Sequence, residues 1–167
     1  MNIFGLAGWS GSGKTTLLIR LLPELVRRGI TVSTVKHAHH GFDVDKPGKD
    51  SWKHREAGAH EVMVSSVNRW ALMHETRGAA EATLDELLSH MSPVDLVIVE
   101  GFKSHAHAKL EVHRPSLGKP LICDKDPLVA AIASDAPLGE VRLPQFRLDD
   151  IVGIAGFILE HCRLGSG

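Results

Sequence analysis

The chain has 167 residues, of which 43% are hydrophobic and 23% are charged, and its formal net charge is −1. This length and composition predict one globular domain with a sizeable core, which we place at residues 1–163, followed by a flexible tail at 164–167. The near-neutral charge gives no electrostatic footprint for a nucleic-acid partner, and no apolar run is long enough to cross a bilayer. We therefore expect neither a nucleic acid nor a membrane as a partner.

The two cysteines, Cys123 and Cys162, lie far apart and form no CxxC pair. A disulfide framework is therefore not expected. Together with the lack of a signal-peptide pattern, this favours a reducing, cytoplasmic location.

The first predicted elements form a strand–helix–strand unit. Asn2–Ala7 is a short apolar strand, residues 14–28 carry leucines at helical spacing, and residues 30–35 form a second strand. Such a unit is normally a right-handed crossover in a parallel sheet. Strands that alternate with helices along the rest of the chain predict an α/β fold with a mostly parallel central sheet. The remaining predictions are a loop at 38–49, a helix at 51–57, strands at 62–67 and 70–74, a helix at 81–90, a strand within 94–102, strands at 110–113, 121–123 and 129–133, and a helix at 150–161.

The stretch GWSGSGKT at residues 8–15 fits the pattern GxxxxGK[ST] and lies between a predicted strand and a predicted helix. Glycines at these positions let consecutive backbone N–H groups converge on phosphate oxygens, and the positive end of the helix dipole adds to the attraction. Lys14 is expected to reach the β and γ phosphates, and the Thr15 hydroxyl to bind Mg²⁺. The nucleotide-binding residues predicted in this phosphate loop are Gly8, Ser10, Gly11, Ser12, Gly13, Lys14, Thr15 and Thr16.

Two further segments leave the carboxyl ends of predicted strands, the edge where α/β sheets bind ligands. Glu100 ends the apolar run LVIV and is the candidate second carboxylate beside the metal, whereas Asp95 opens that strand. In the loop KHAHHGFDVDKPGKDS, we expect Lys36 to meet phosphate, and we prefer Asp45 to Asp43 as a metal ligand. Asp50 is predicted to cap the next helix. The alternative for this loop is a solvated polar connector.

Histidines form two loose groups, His37, His39 and His40 in one and His105, His107 and His113 in the other. They allow a transition-metal site, although no cysteine lies nearby and the spacing is not that of ligands on one helix face. Exposed histidines are the simpler interpretation of His39 and His40.

The segments GWSGSGKTTLL, KHAHHGFDVDKPGKDS, REAGA, RWALMHET and VEGFK, in that order, resemble the MobB family of molybdopterin-guanine dinucleotide biosynthesis adapter proteins. The resemblance implies a three-layer, P-loop NTPase-like fold of the dimeric, metallochaperone-related GTPase class. It also implies GTP and Mg²⁺ as ligands, a homodimer, and weak GTPase activity with no catalytic side chain assigned. The family assists the MobA nucleotidyltransferase, which joins GMP to molybdopterin, and pterin contacts are expected from residues 36–49 and 100–103.

Base recognition is less well defined. The chain has no NKxD motif, and Asp124-Lys125-Asp126 has the wrong order, so Asp135 after the 129–133 strand is the candidate guanine contact. Slow hydrolysis is also expected from the residues, because Gln145 is the only glutamine and no arginine finger is evident in the loop. Two other functions stay open at this point, a GTP-dependent nickel or zinc chaperone and a small-molecule P-loop kinase.

Overall fold

The computed structural model describes residues 1–38, 41–102 and 105–165. The chain divides into two compact units, one made of Met1–His37 and Met91–Gly167 and the other of Ala38–His90. The single domain at 1–163 stays a prediction, as does the tail, whose last two residues lie outside the described ranges.

In chain order the elements are β1 (Asn2–Ala7), α1 (Lys14–Arg27), β2 (Val32–Lys36), α2 (Asp50–Glu56), β3 (Glu61–Ser65), β4 (Trp70–His74), α3 (Leu84–Ser89), β5 (Leu96–Glu100), β6 (Lys109–His113), the 3₁₀ turn Pro115–Leu117, β7 (Val129–Ser134), β8 (Gln145–Arg147) and α4 (Ile151–His161).

The first unit is built on a six-stranded sheet in the order β2-β5-β1-β6-β7-β8. Every neighbouring pair in it is parallel. The prediction of an α/β fold with a mostly parallel central sheet is therefore confirmed. Because all the strands run the same way, their carboxyl ends share one edge, and the segments that follow them are brought together there.

One face of this sheet packs against α1 and α4. Side chains alternate across a strand, so Phe4 and Leu6 of β1 and Ile98 of β5 point to the same face. There they meet leucines spaced three or four residues apart on α1 and isoleucines of α4, such as Leu21 and Ile158. This packing fixes the direction of α1 and so the position of its amino end.

The opposite face carries buried polar residues. Glu111 of β6 is fully buried, and its carboxylate accepts hydrogen bonds from the backbone N–H groups of Ile122 (2.8 Å) and Cys123 (2.9 Å). On the same strand, the Lys109 ammonium lies 3.0 Å from Asp126. These bonds hold the segment after the 3₁₀ turn against the sheet.

His107 lies on this face as well, and Gly5 of β1 makes room for it. A Cβ on Gly5 would lie 2.6 Å from His107 Nε2 and 2.8 Å from Lys109 Cγ. Burial, reinforced by the Lys109 ammonium and by His105, lowers the pKa of His107 to about 4. The imidazole is therefore neutral at physiological pH.

Several predicted elements need correction. The strand expected at 121–123 is wrong, because these residues form a turn whose N–H groups bond to the Glu111 carboxylate rather than to a neighbouring strand. β8 was not predicted, since its three residues are too short to show an alternation. Asp50 does not cap α2, as Lys49 is the N-cap and Asp50 is the first helical residue. The helix predicted at 81–90 begins later, where Thr83 and Glu86 form a capping box.

The second unit contains α2, α3 and a two-stranded antiparallel sheet of β3 and β4. Polar contacts hold much of it together, and several of them involve Arg55. This guanidinium lies 2.9 Å from Glu75 Oε1 and 2.9 Å from Asp43 Oδ2. Arg77, in turn, donates to the carbonyl oxygens of Arg55 and Ala59. In the described part of the chain, no helix has the length and apolar character that a membrane crossing requires.

Candidate functional site

The loop between β1 and α1 has the backbone that its glycines predict. Gly11 and Gly13 have φ angles of +79° and +100°, a region that side-chain-bearing residues rarely adopt. A Cβ on Gly8 would lie 2.5 Å from both Ser12 Oγ and the Val112 carbonyl oxygen. Gly13 is the N-cap of α1, so the helix begins at Lys14 and its free N–H groups face the loop. This is the geometry of an anion site at a helix amino end.

Two side chains of the loop are arranged for an anion. Lys14 folds back over the loop, and its Nζ donates to the carbonyl oxygens of Gly8 (2.8 Å) and Trp9 (3.2 Å). Ser12 is only 1% exposed, yet its Oγ has no hydrogen-bond partner among residues 1–38, 41–102 and 105–165. A buried hydroxyl without a partner is costly, so a phosphate oxygen that completes its hydrogen bonds would stabilise the loop.

Thr15 and Glu100 meet at the amino end of α1. Thr15 Oγ1 lies 3.2 Å and 3.3 Å from the two carboxylate oxygens of Glu100, which ends β5 and is 8% exposed. Lys36 ends β2 and is the register partner of Glu100, so both side chains leave the same face of the sheet. A hydroxyl beside a carboxylate is the donor set that Mg²⁺ takes in phosphate loops, where water completes the shell.

Asp45, the other predicted metal ligand, lies in the second unit. Its Oδ1 accepts hydrogen bonds from Ser51 Oγ (2.8 Å) and the Lys46 N–H (3.0 Å), and its Oδ2 lies 3.4 Å from Arg55 Nε. Neighbouring Asp43 accepts from the Asp45 N–H and from Arg55, and these contacts hold its pKa below the ordinary value. Both carboxylates thus have partners within their own unit, and a metal role for Asp45 stays a prediction.

A cavity of about 240 Å³ lies at the carboxyl ends of β7 and β8. Asp135, the predicted base contact, lines it together with Phe146 and Pro137. The remaining lining residues are Ser134, Ala136, Gln145 and Arg147. An apolar wall with a carboxylate at its edge is suited to a flat heterocycle that carries N–H donors.

The segment after β6 braces the phosphate loop, which the sequence pattern did not indicate. Trp9 Nε1 donates to the Pro120 carbonyl oxygen at 2.8 Å. Arg114 donates from Nε to the Ser12 carbonyl oxygen (3.0 Å) and from Nη1 to Asp135 Oδ2 (2.6 Å). The only sequence signal for Arg114 is its position immediately after an apolar strand, at the ligand-binding edge of the sheet.

The histidines are spread over several environments. The His37 N–H donates to the Glu100 carbonyl oxygen, while its ring lies 5.0 Å from the Phe102 ring. His107 and His113 are buried on the polar face of the sheet, whereas His39 and His40 lie outside the described residues, as does Lys103. Within the described ranges, no group of three or more His, Cys, Asp or Glu side chains is placed to hold a metal ion.

A parallel sheet that delivers a glycine-rich loop to the amino end of its first helix, with a hydroxyl and a strand-end carboxylate beside that loop, defines an α/β protein of the P-loop NTPase-like class. Within this class the chain belongs to the MobB family, because the family model described as "Molybdopterin guanine dinucleotide synthesis protein B" matches residues 3–135. The resemblance found in the sequence motifs is thereby confirmed.

Two curated relatives are similar over nearly the whole chain. The molybdopterin-guanine dinucleotide biosynthesis adapter protein of Escherichia coli is 44% identical over 170 residues, covering 99% of this chain and 95% of the relative. The adapter protein of Haemophilus influenzae is 44% identical over 158 residues, covering 93% and 86%.

Solved structures agree with this assignment. A crystal structure of molybdopterin-guanine biosynthesis protein B superposes with a TM-score of 0.74 at 29% identity, covering 95% of this chain and 99% of that one. A MobB homologue from Bacillus stearothermophilus superposes with a TM-score of 0.71 at 26% identity, covering 98% and 99%.

Proposed function

We propose that this chain is a GTP- and Mg²⁺-binding adapter in molybdopterin-guanine dinucleotide biosynthesis, which assists the MobA nucleotidyltransferase in attaching GMP to molybdopterin. The observation that carries the nucleotide half is the phosphate loop, where the buried Ser12 hydroxyl, which has no hydrogen-bond partner within the described ranges, lies beside Lys14. The names of the 44% identical relatives support the adapter role. A homodimer in the cytoplasm belongs to the same proposal.

Each part of a Mg²⁺–nucleotide complex has candidate residues in the first unit. The backbone of residues 8–13, the Ser12 hydroxyl and Lys14 would hold the phosphates, with Lys36 as a second cation beside them. Thr15 and Glu100 would hold Mg²⁺, which neutralises charge on the phosphate oxygens. Asp135 would receive donors from the base at the neighbouring cavity.

Hydrolysis in this arrangement should be slow. The chain's only glutamine, Gln145, lies in β8 and donates to the Val141 carbonyl oxygen. Because this glutamine is held there and the sequence has no other to orient the attacking water, the bound nucleotide is expected to persist. The protein would then act mainly through its nucleotide-bound state.

Calorimetry with GTP and ATP in the presence of Mg²⁺ tests the nucleotide half. We expect tighter binding of GTP, and about 10- to 100-fold weaker binding by Lys14→Ala, because charge-assisted hydrogen bonds to phosphate are lost. Lys125→Ala, which removes an exposed lysine of a turn, is the matched control and should bind as the wild type does. Tighter binding of ATP, or unchanged binding by Lys14→Ala, would contradict the proposal.

Guanylylation tests the adapter half. Purified MobA nucleotidyltransferase, molybdopterin and GTP are incubated with and without this protein, and molybdopterin-guanine dinucleotide is quantified by chromatography. We expect more product with the wild type than with Lys14→Ala. An equal yield with and without the wild-type protein would rule out the adapter role while leaving nucleotide binding intact.

A further inference from the structure

Arg114 joins two parts of the first unit that are distant in sequence. Its Nε donates to the carbonyl oxygen of Ser12 at 3.0 Å, and its Nη1 donates to Asp135 Oδ2 at 2.6 Å. The first contact is to the backbone of the phosphate loop, and the second is to a carboxylate that lines the cavity at β7 and β8. One planar guanidinium therefore spans the loop and the rim of the cavity, which its fixed fork of donors allows.

The contact with Ser12 sets the direction of one loop peptide. In a trans peptide, the C=O and the following N–H point to opposite sides. Since the Ser12 carbonyl is held toward Arg114, the N–H of Gly13 is directed away from it. Gly13 has a φ of +100° here, which glycine adopts readily because it has no Cβ. A Cβ at this position would lie 3.4 Å from Arg114 Nη2.

The contact with Asp135 sets the direction of its carboxylate. Oδ2 is engaged by Arg114, so the remaining lone pairs are left for a ligand in the cavity. Guanine presents adjacent N1–H and N2–H donors, which a fixed carboxylate can accept as a pair. Adenine places an acceptor nitrogen at the corresponding edge and leaves the carboxylate without a donor.

We propose that Arg114 is a positioning residue that links base recognition by Asp135 to the phosphate-binding conformation of the loop at Ser12 and Gly13. This inference rests on the proposed function, because it assumes a guanine nucleotide that spans the loop and the cavity. The guanidinium acts through two partners and has no need to touch the nucleotide. Its removal should therefore weaken phosphate binding and also lower the preference for GTP over ATP.

Three ligands separate these effects in calorimetric titrations with Mg²⁺: GTP, ATP and inorganic tripolyphosphate, which has no base. For Arg114→Ala we expect tripolyphosphate to bind about 3- to 10-fold more weakly and GTP to lose a further factor of about 10, so that the ratio of GTP to ATP affinity falls about 10-fold. Arg114→Lys keeps the positive charge but lacks the planar fork. We expect it to bind tripolyphosphate within about 3-fold of wild type, yet to lose base selection as Arg114→Ala does.

Arg20→Ala is the matched control, because it removes an exposed arginine from α1 and should leave all three affinities unchanged. Circular dichroism checks that each variant is folded. If Arg114→Ala is not folded, the ratio of GTP to ATP affinity of Arg114→Lys decides the question. The link would be overturned if the Arg114 variants kept the wild-type ratio of GTP to ATP affinity. It would also be overturned if Arg114→Ala lowered that ratio but bound tripolyphosphate as the wild type does. In both cases the proposed function would stand. A wild-type protein that binds neither GTP nor tripolyphosphate would overturn both.

Discussion

The two compact units of the chain differ in how each is stabilised. In the first, helices α1 and α4 and one face of the sheet bury a continuous apolar core that includes Phe4, Leu21 and Ile158. In the second, the β3–β4 hairpin leaves large apolar side chains in solvent, with Met63 and Trp70 each 63% exposed. A two-stranded sheet has little interior of its own, so this unit depends more on polar contacts.

This difference determines which unit can hold binding side chains in a fixed geometry. The phosphate loop, Glu100 and Arg114 all lie in the first unit, where packed strands fix the backbone from which each side chain extends. Binding groups on such a scaffold keep their geometry without the ligand, which lowers the entropic cost of binding. The Arg55 network of the second unit, in contrast, joins side chains that are partly exposed, such as those of Asp43 and Glu75.

Truncating a side chain in the apolar core of the first unit should produce the largest loss of stability. Leu21→Ala removes a fully buried side chain of α1, and we expect the free energy of unfolding to fall by about 2–5 kcal/mol. Ile19→Ala on the same helix is the control, since Ile19 is 64% exposed and its loss should change stability by less than about 0.5 kcal/mol. Urea unfolding followed by circular dichroism measures both, and equal effects would mean that the core does not govern stability.

As the pH falls, the free energy of unfolding should decrease first because of a residue in the first unit. His107 has a pKa of about 4 in the folded protein against an ordinary 6.5, so the unfolded chain binds its proton first. Stability is therefore full above about pH 6.5 and is lost as the pH falls toward 4, by about 1–3 kcal/mol. His107→Gln cannot titrate and should flatten the pH dependence of the unfolding free energy in this window.

The matching variant in the second unit is Glu86→Gln. Hydrogen bonds from the Thr83 N–H and hydroxyl hold the pKa of Glu86 below its ordinary 4.5, so the stability that it contributes is lost only below that pH. Neither group changes charge between pH 4.5 and 6.5, so Glu86→Gln should leave the slope in that window as it is in the wild type. A slope that follows Glu86 rather than His107 would reverse the assignment.

The smallest expected effect concerns the start of α3. Thr83 and Glu86 form a capping box, in which the Thr83 side chain accepts from the Glu86 N–H. Thr83→Ala should cost about 1 kcal/mol and lower the hydrogen-exchange protection of amides in Leu84–Ser89. Thr76→Ala, at an exposed position outside the helices and strands, should leave that protection unchanged.

Local signals predicted much of the first unit correctly. β1 was predicted with its observed bounds, and α1 to within one residue of its end, because an apolar run followed by leucines at helical spacing needs no distant contact to be recognised. The same signals failed at residues 121–123, where an apolar pattern that resembles a strand belongs to a turn held by Glu111. That carboxylate lies more than ten positions earlier in the chain, and no local pattern reports it.

The sequence by itself determined the phosphate loop, because residues 8–15 contain the glycines, the lysine and the hydroxyl in one short stretch whose backbone conformation is local. The family followed from the same kind of information, as ordered motifs along the chain. Only the tertiary structure decided that Glu100 meets Thr15 and that Arg114 lies between Ser12 and Asp135. Those contacts join residues that end or follow different strands. The order in which strands pair in a sheet is set by the packing of the whole core rather than by any segment alone.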